Sequence, residues 1–268
     1  RQMCIRDRAF TFPNLFRGML GEGSLTSAFI PVYAETSEKK SKPGAFLLMN
    51  KVLSRLFSFL FVFSILISSL SFAASHYGWS SEAKWNEASF LNSIVFGYLF
   101  FVCGTAILVG ALNTHGKFFA SGFSPIILNC TMISVLFFLG ITEKSDLRNL
   151  SIYLCVSVLL AGVIQFLLPY NELRSKENWK FRFDLAESPE LLKIKKIFWI
   201  GALGAAVAQI NVLVSRMLAY SLDETGSVSY LFLSSRLIEL PLGIFAVSIS
   251  TVLFPELAKS AILSERDS

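Results

Sequence analysis

The sequence predicts an all-α fold, a polytopic transmembrane helical bundle of about seven spans, and three observations predict it. Hydrophobic residues make up 53% of the chain and charged ones only 16%, where a soluble domain carries about 25% charge. The apolar residues gather in runs of roughly 20, enough helix to cross a ~30 Å hydrocarbon core. Phenylalanine dominates the aromatic content with 26 copies, and it brings no polar group that hydrocarbon would leave unpaired.

In chain order the spans are 10–34, 46–74, 90–113, 118–140, 149–168, 194–221 and 227–258. The first has the weakest hydropathy, because it holds Arg17 and Glu22 among Gly18, Gly21 and Gly23. The second, FLLMNKVLSRLFSFLFVFSILISSLSFAA, is the plainest once Lys51 and Arg55 snorkel to the interface. No cleavable signal peptide is expected, since RQMCIRDR has no apolar core behind it. The longest connector, about 170–193, separates five spans from two and reads as a linker between lobes. Its Ser188, Pro189 and Glu190 read as a helix start, with proline at the first helical position and acid at the positive dipole end. The expected organisation is residues 1–9 as a non-native or truncated end, 10–168 as a first lobe, 169–193 as linker and 194–268 as the start of a second lobe.

Cations set the orientation, because lysine and arginine are retained on the cytoplasmic side. Alternate connectors and flanks carry Lys39, Lys40, Lys42, Lys51, Arg55, Lys117, Arg174, Lys176, Lys180, Arg182, Lys193, Lys195, Lys196, Lys259 and Arg266. The opposite set carries only Lys84, Lys144 and Arg148, which places HYGWSSEAKWNEAS, TEKSDLRN and SLDETGS outside. The net charge of +5 therefore reflects topology; a nucleic-acid partner would need a clustered basic face with stacking aromatics. The run Lys193, Lys195, Lys196 fits either a topology anchor or a contact to anionic membrane lipids.

Cys4, Cys103, Cys130 and Cys155 have no CxxC spacing, and the last three are expected to pack as small hydrophobes. His76 and His115 fall in connectors and read as loop residues, so no metal and no cofactor are expected. One internal repeat is visible: SLTSAFIPVYAE (24–35) aligns without gaps on SISTVLFPELAK (248–259), as duplicated lobes would leave it.

Five charges remain inside spans: Arg17, Glu22, Arg216, Arg236 and Glu239. Each costs roughly 2.5–3.5 kcal/mol at the bilayer centre, so each needs a partner, a ligand or a wet cavity. Arg236 and Glu239 are three apart and can pair along one helix, while Arg216 can snorkel from a span end. Arg17 and Glu22, five apart, point in different directions. A cavity lined by this set is net positive and suits a phosphate, which the planar arginine fork matches in bidentate fashion. Asn14, Asn129, Gln165, Gln209 and Asn211 either line the same cavity or join helices by hydrogen bonds.

These residues also carry a resemblance. FPNLFRGMLGEGSLTSAFIPVYAE resembles the LPN-LFRR-xxAEGAFxxAFVPVxAE signature of the MurJ (MviN) family of lipid II flippases. GALNTHGKFFASGFSPIILNCTMI and QINVLVSRMLAYSL with GSVSYLFLSSRLIELPLGIFAVSISTVLFPELAK are similar to later blocks of that family, in order and spacing, over nearly the whole chain from residue 10. The resemblance implies a multidrug/oligosaccharidyl-lipid/polysaccharide exporter fold, two helical lobes about a cationic cavity. It implies movement of an undecaprenyl-diphosphate-linked peptidoglycan precursor to the periplasmic leaflet by alternating access in the bacterial inner membrane, beside the cell-wall synthesis machinery. Family arginines associated with the diphosphate fall on Arg17 and Arg236, and the gate glutamate on Glu22. About fourteen spans are usual, so the chain corresponds to spans two to eight, the N-terminal half.

Departures from the pattern are Gly18 for a second arginine, and Ser215 and Ser235 where relatives carry aspartate, which leaves the coupling ion unassigned. RQMCIRDR does not match the family's first span. The alternative within the superfamily is an O-antigen-type lipid flippase or a drug/cation antiporter; the Arg17 and Arg236 pair favours a diphosphate lipid over a cationic drug. An enzyme such as a polyprenyl-phosphate transferase would need carboxylates to hold Mg²⁺. Asp7, Asp146, Asp184, Asp223 and Asp267 all lie in connectors or termini, and no GxSxG, HExxH or P-loop pattern occurs, so no catalytic residue is expected.

Overall fold

In a computed structural model of the chain, residues 24–77, 83–142, 147–221, 227–242 and 245 are described. Their regular elements are all helices: α1 (Ser24–His76), α2 (Ala83–Val95), α3 (Tyr98–Thr114), α4 (Phe119–Thr142), α5 (Leu147–Lys176), α6 (Pro189–Ser221) and α7 (Ser227–Pro241). The described residues through Asn211 form one compact unit, and those from Val212 form another.

Five stretches among the described residues are long and apolar enough to cross a bilayer: Ser24–His76, Ser89–Thr114, Phe119–Phe138, Asn149–Lys176 and Pro189–Ala219. The expected spans 46–74, 90–113, 118–140, 149–168 and 194–221 fall on these five. Only the end of span 10–34 and the start of span 227–258 are described, so Arg17, Glu22, Asn14 and the second copy of the repeat lie outside the described residues. The outward surface agrees with a lipid setting. Phe137 and Phe138 on α4 and Trp199, Leu203 and Val207 on α6 are all more than half exposed, which water would penalise.

Three helix boundaries differ from the sequence expectation, each for a local reason. Helix α1 runs through the expected connector at 35–45 and breaks only at Ser41, whose φ of 67° and ψ of 168° lie in a region that glycine mostly occupies. Pro43 then falls in the first turn after the break, where its missing N–H costs little. The span 90–113 is bent at Phe96 and Gly97, where the Leu99 amide bonds the Phe96 carbonyl at 3.2 Å. Helix α5 continues past Pro169 to Lys176, because Leu173 is buried and the Lys176–Glu172 pair at 2.7 Å supports the last turns.

Two apolar clusters hold the first unit. One joins both arms of α1 to α3, α5 and the start of α6 through Phe29, Tyr33, Leu53, Leu112, Leu173 and Ile194. The other joins α1, α2, α3 and α5 through Leu60, Leu91, Phe96, Leu99, Cys103 and Cys155. Cys103 and Cys155 thus pack as small hydrophobes, whereas Cys130 is exposed on α4 instead of packed.

Close helix approach depends on small residues. A Cβ on Gly162 would stand 2.7 Å from Tyr98 Cδ2, and the Tyr98 hydroxyl is itself held by Gln165 Oε1 at 3.2 Å. Gln165 also donates through Nε2 to the Ser124 carbonyl at 2.6 Å, so this polar residue joins α3, α4 and α5 by interhelical hydrogen bonds. Gly122 on α4 has open space around it. Gly162→Ala is therefore expected to lower stability by about 1–3 kcal/mol, while Gly122→Ala leaves it unchanged or slightly raised. Thermal unfolding of both variants in one detergent checks this.

Candidate functional site

The expected cavity residues are spread over both units. Asn129 on α4 and Asn211 on α6 are exposed and Gln209 is half-buried, all in the first unit. Arg216, Arg236 and Glu239 belong to the second. Arg236 and Glu239 share one face of α7 by their spacing, and Glu239 is exposed. Ser235 spends its hydroxyl on the Leu231 carbonyl at 2.8 Å.

What the structure brings together is a charged end of the first unit, built from the connectors at 35–44, 113–118 and 172–196. Helix α3 ends in a Schellman motif: the Lys117 amide bonds the Leu112 carbonyl and the Gly116 amide bonds the Asn113 carbonyl, both at 3.0 Å. Gly116 takes the left-handed position at φ 73°, and the turn delivers the Lys117 ammonium to Glu177. Lys42, next to the α1 break, reaches the other oxygen of Glu177 at 3.1 Å. His115 is more than a loop residue: its Nε2 lies 3.0 Å from the Tyr33 hydroxyl, and its ring meets Phe46 edge-on. His76, the last residue of α1, stacks with Phe72.

The linker after α5 is docked along α1. Asn178 turns the chain in the left-handed region, φ 54°, and the Trp179 amide reaches back to the Leu173 carbonyl at 3.2 Å. Trp179 is only 3% exposed, which settles that this stretch is packed. Its indole N–H donates to Asn50 Oδ1 at 3.0 Å, and Asn50 Nδ2 donates to the Lys180 carbonyl at 3.4 Å. One turn on, Ser54 Oγ accepts from the Asp184 amide at 2.9 Å and Arg55 donates to the Leu185 carbonyl at 2.6 Å.

Helix α6 then starts where the sequence places it. The Ser188 hydroxyl accepts from the Leu191 amide at 3.4 Å, with Pro189 and Glu190 in the first turn. Two reciprocal pairs fasten this start to the end of the first α1 arm: Lys40 to Glu190 at 2.5 Å and Lys193 to Glu35 at 2.6 Å. Lys195 pairs with Glu187 at 3.3 Å, so two members of the basic run already have acidic partners within the chain.

The arrangement is a membrane bundle with one cation-rich end and no metal-ligating group of three among the described residues. A family model described as "Lipid II flippase MurJ" matches residues 7–268. The chain belongs to the MurJ family. A "Probable lipid II flippase MurJ" of Haemophilus influenzae is 34% identical over 96% of this chain and 51% of its own length. One of Vibrio cholerae is 31% identical over 95% of this chain and 50% of its own. The solved structure "Lipid II flippase MurJ, inward closed conformation" superposes with a TM-score of 0.69 at 27% identity, covering 96% of this chain and 52% of that one. The chain spans about half the length of the curated relatives it matches.

Within this MurJ-family frame the charged end is tuned by its pairs. Hydrogen bonds from Lys193 and Lys39 push the Glu35 carboxyl down to about 2. Lys117 and, after it, Lys42 hold Glu177 below the ordinary carboxylate value, and Lys40 does so for Glu190. Burial pushes His115 below its ordinary value, with the Lys42 and Lys117 charges adding to it and Glu177 opposing.

A carboxylate with a depressed folded value contributes stability above its ordinary value of 4.5, lost as pH falls through the folded value. A histidine kept neutral begins to cost stability below 6.5. The melting midpoint is therefore expected to slip gently below pH 6.5 and steeply below about 4, with Glu35→Gln reducing the acid-side fall. Melts across pH 8 to 3 in one detergent test it. Asn50→Leu strands the Trp179 indole N–H and the Lys180 carbonyl, and about 1–3 kcal/mol of destabilisation is expected on thermal unfolding.

Proposed function

We propose that the protein to which this chain belongs flips the lipid-linked peptidoglycan precursor lipid II from the cytoplasmic to the periplasmic leaflet, in the bacterial inner membrane. The carrying observation is the family match from residue 7 to residue 268, with relatives at 34% and 31% identity that bear the flippase name. The multi-pass membrane build supports it, as does the lack of any catalytic carboxylate pattern in the sequence. The protein acts as a transporter, not an enzyme.

Residues 10–168 form most of a first lobe, 169–193 the linker and 194–268 the start of a second lobe. Arg17 and Arg236 hold the substrate diphosphate through their planar forks, Glu22 belongs to a gate, and Asn129, Gln209 and Asn211 line the path. Arg216 and Glu239 adjust the charge of the same cavity. Alternating access moves the headgroup across while its lipid tail stays in hydrocarbon. The cation-rich end faces the cytoplasm, beside the machinery that makes and uses the precursor.

The complete protein is expected to rescue a bacterium depleted of its own lipid II flippase. Arg17→Ala or Arg236→Ala should abolish rescue at matched membrane abundance. Undiminished rescue by both variants would move the diphosphate site elsewhere, and failure of the well-expressed wild type would assign another lipid or drug to the transporter.

A further inference from the structure

The break in α1 poses a physical question. Ser41 sits at φ 67° and ψ 168°, a conformation that costs a non-glycine residue free energy and persists only when its surroundings over-determine it. Pro43 excludes a continuous helix here and one apolar cluster holds both arms, while the two lysine neighbours of Ser41 tie the break itself to other segments. Lys40, immediately before it, pairs with Glu190 at the start of α6 at 2.5 Å, and Lys42, immediately after it, pairs with Glu177 beyond α5 at 3.1 Å. Each pair joins α1 to a segment more than a hundred residues away in sequence, so neither can be satisfied by the helix itself.

We infer that Ser41 is a charge-held joint: the ion pairs Lys40–Glu190 and Lys42–Glu177 keep α1 bent in a strained conformation, and neutralising them lets the joint relax. The two membrane arms of α1 meet at this residue, so the joint governs how the arms stand at the end of the bundle.

Several observations favour a specific device over ordinary surface pairing. Exposed ion pairs contribute little and are screened by salt. Lys40 and Lys42 are 60% and 57% exposed, but their acceptors are shielded: Glu177 is only 10% exposed and Glu190 22%, against 68% for Glu187, whose pair with Lys195 lies outside the joint. Glu177 is also shared with Lys117, whose position the Schellman turn at Gly116 fixes, so the acceptor is held in place independently of Lys42. The other charged and titratable groups around the joint are Glu35, Glu38, Lys39, Lys193, His115 and Tyr33, with Glu38 exposed on the first arm. Glu35 takes Lys39 and Lys193, and His115 takes Tyr33, which leaves Lys40 and Lys42 as the two groups that straddle Ser41. Glycine at 41 would accept the same backbone conformation without the steric penalty.

The test is amide hydrogen exchange of the full chain in lipid nanodiscs, read on peptides covering 36–46 with peptides covering 103–111 as internal reference. It involves no transport, so its outcome is separate from that of the lipid II reading. Glu177→Gln with Glu190→Gln is expected to speed exchange at 36–46 by roughly tenfold and to leave 103–111 unchanged. Adding Ser41→Gly is expected to bring the rate back to within about twofold of wild type. Glu187→Gln should change neither segment. In the unsubstituted chain, raising NaCl from 0.05 to 1 M should speed 36–46 selectively, which keeps the question answerable if the variants fail to insert. Unchanged exchange after double neutralisation, no recovery with Ser41→Gly, or an equal response at 103–111 would overturn the joint.

Discussion

Hydrocarbon offers no hydrogen bonds, so every backbone amide inside the bilayer must find its partner within its own helix. That constraint organises the rest of the chain. It makes the spans continuous helices and pushes their irregular backbone to places where protein groups cover it. The bend at Phe96 and Gly97 is bridged by the Leu99 amide and packed beside Leu159. The break at Ser41 sits among charged side chains, outside the apolar part of α1, where ion pairs and water can serve the exposed groups.

Five of the expected spans were legible in the sequence for the same reason: a segment that must bury its backbone in lipid has to be apolar for roughly 20 residues. The start of α6 was legible too, because Ser188, Pro189 and Glu190 act through bonds within one turn. Helix ends were harder. The span expected to end at 168 runs on through Pro169, because burial of Leu173 and the turns beyond it carry α5 onward. The docking of Trp179 on Asn50 joins residues 129 apart, and no local pattern encodes a contact at that separation. A tryptophan in the middle of a charged connector was the one visible hint.

The polar residues inside spans show why the candidate site was only partly readable. Gln165 bridges three helices, whereas Asn129 and Asn211 are exposed, and composition alone treats the three as equivalent. The arginines stood out for a different reason, since a charge in hydrocarbon is costly wherever it sits. Energetic cost marks such residues in a sequence; direction and partner come only from the packed helices.

The docked linker has a mechanical consequence. Twelve residues run between Lys176 and Pro189, and if slack they would let α6 wander by about 40 Å at ~3.3 Å per residue. The pins at Asp184 and Leu185 shorten this leash to Ala186, Glu187 and Ser188, a reach of roughly 10 Å. Helix α6 is thereby geared to the second arm of α1: a larger stroke at its start must first strip the leash from Ser54 and Arg55, and until then any tug on one helix is passed to the other.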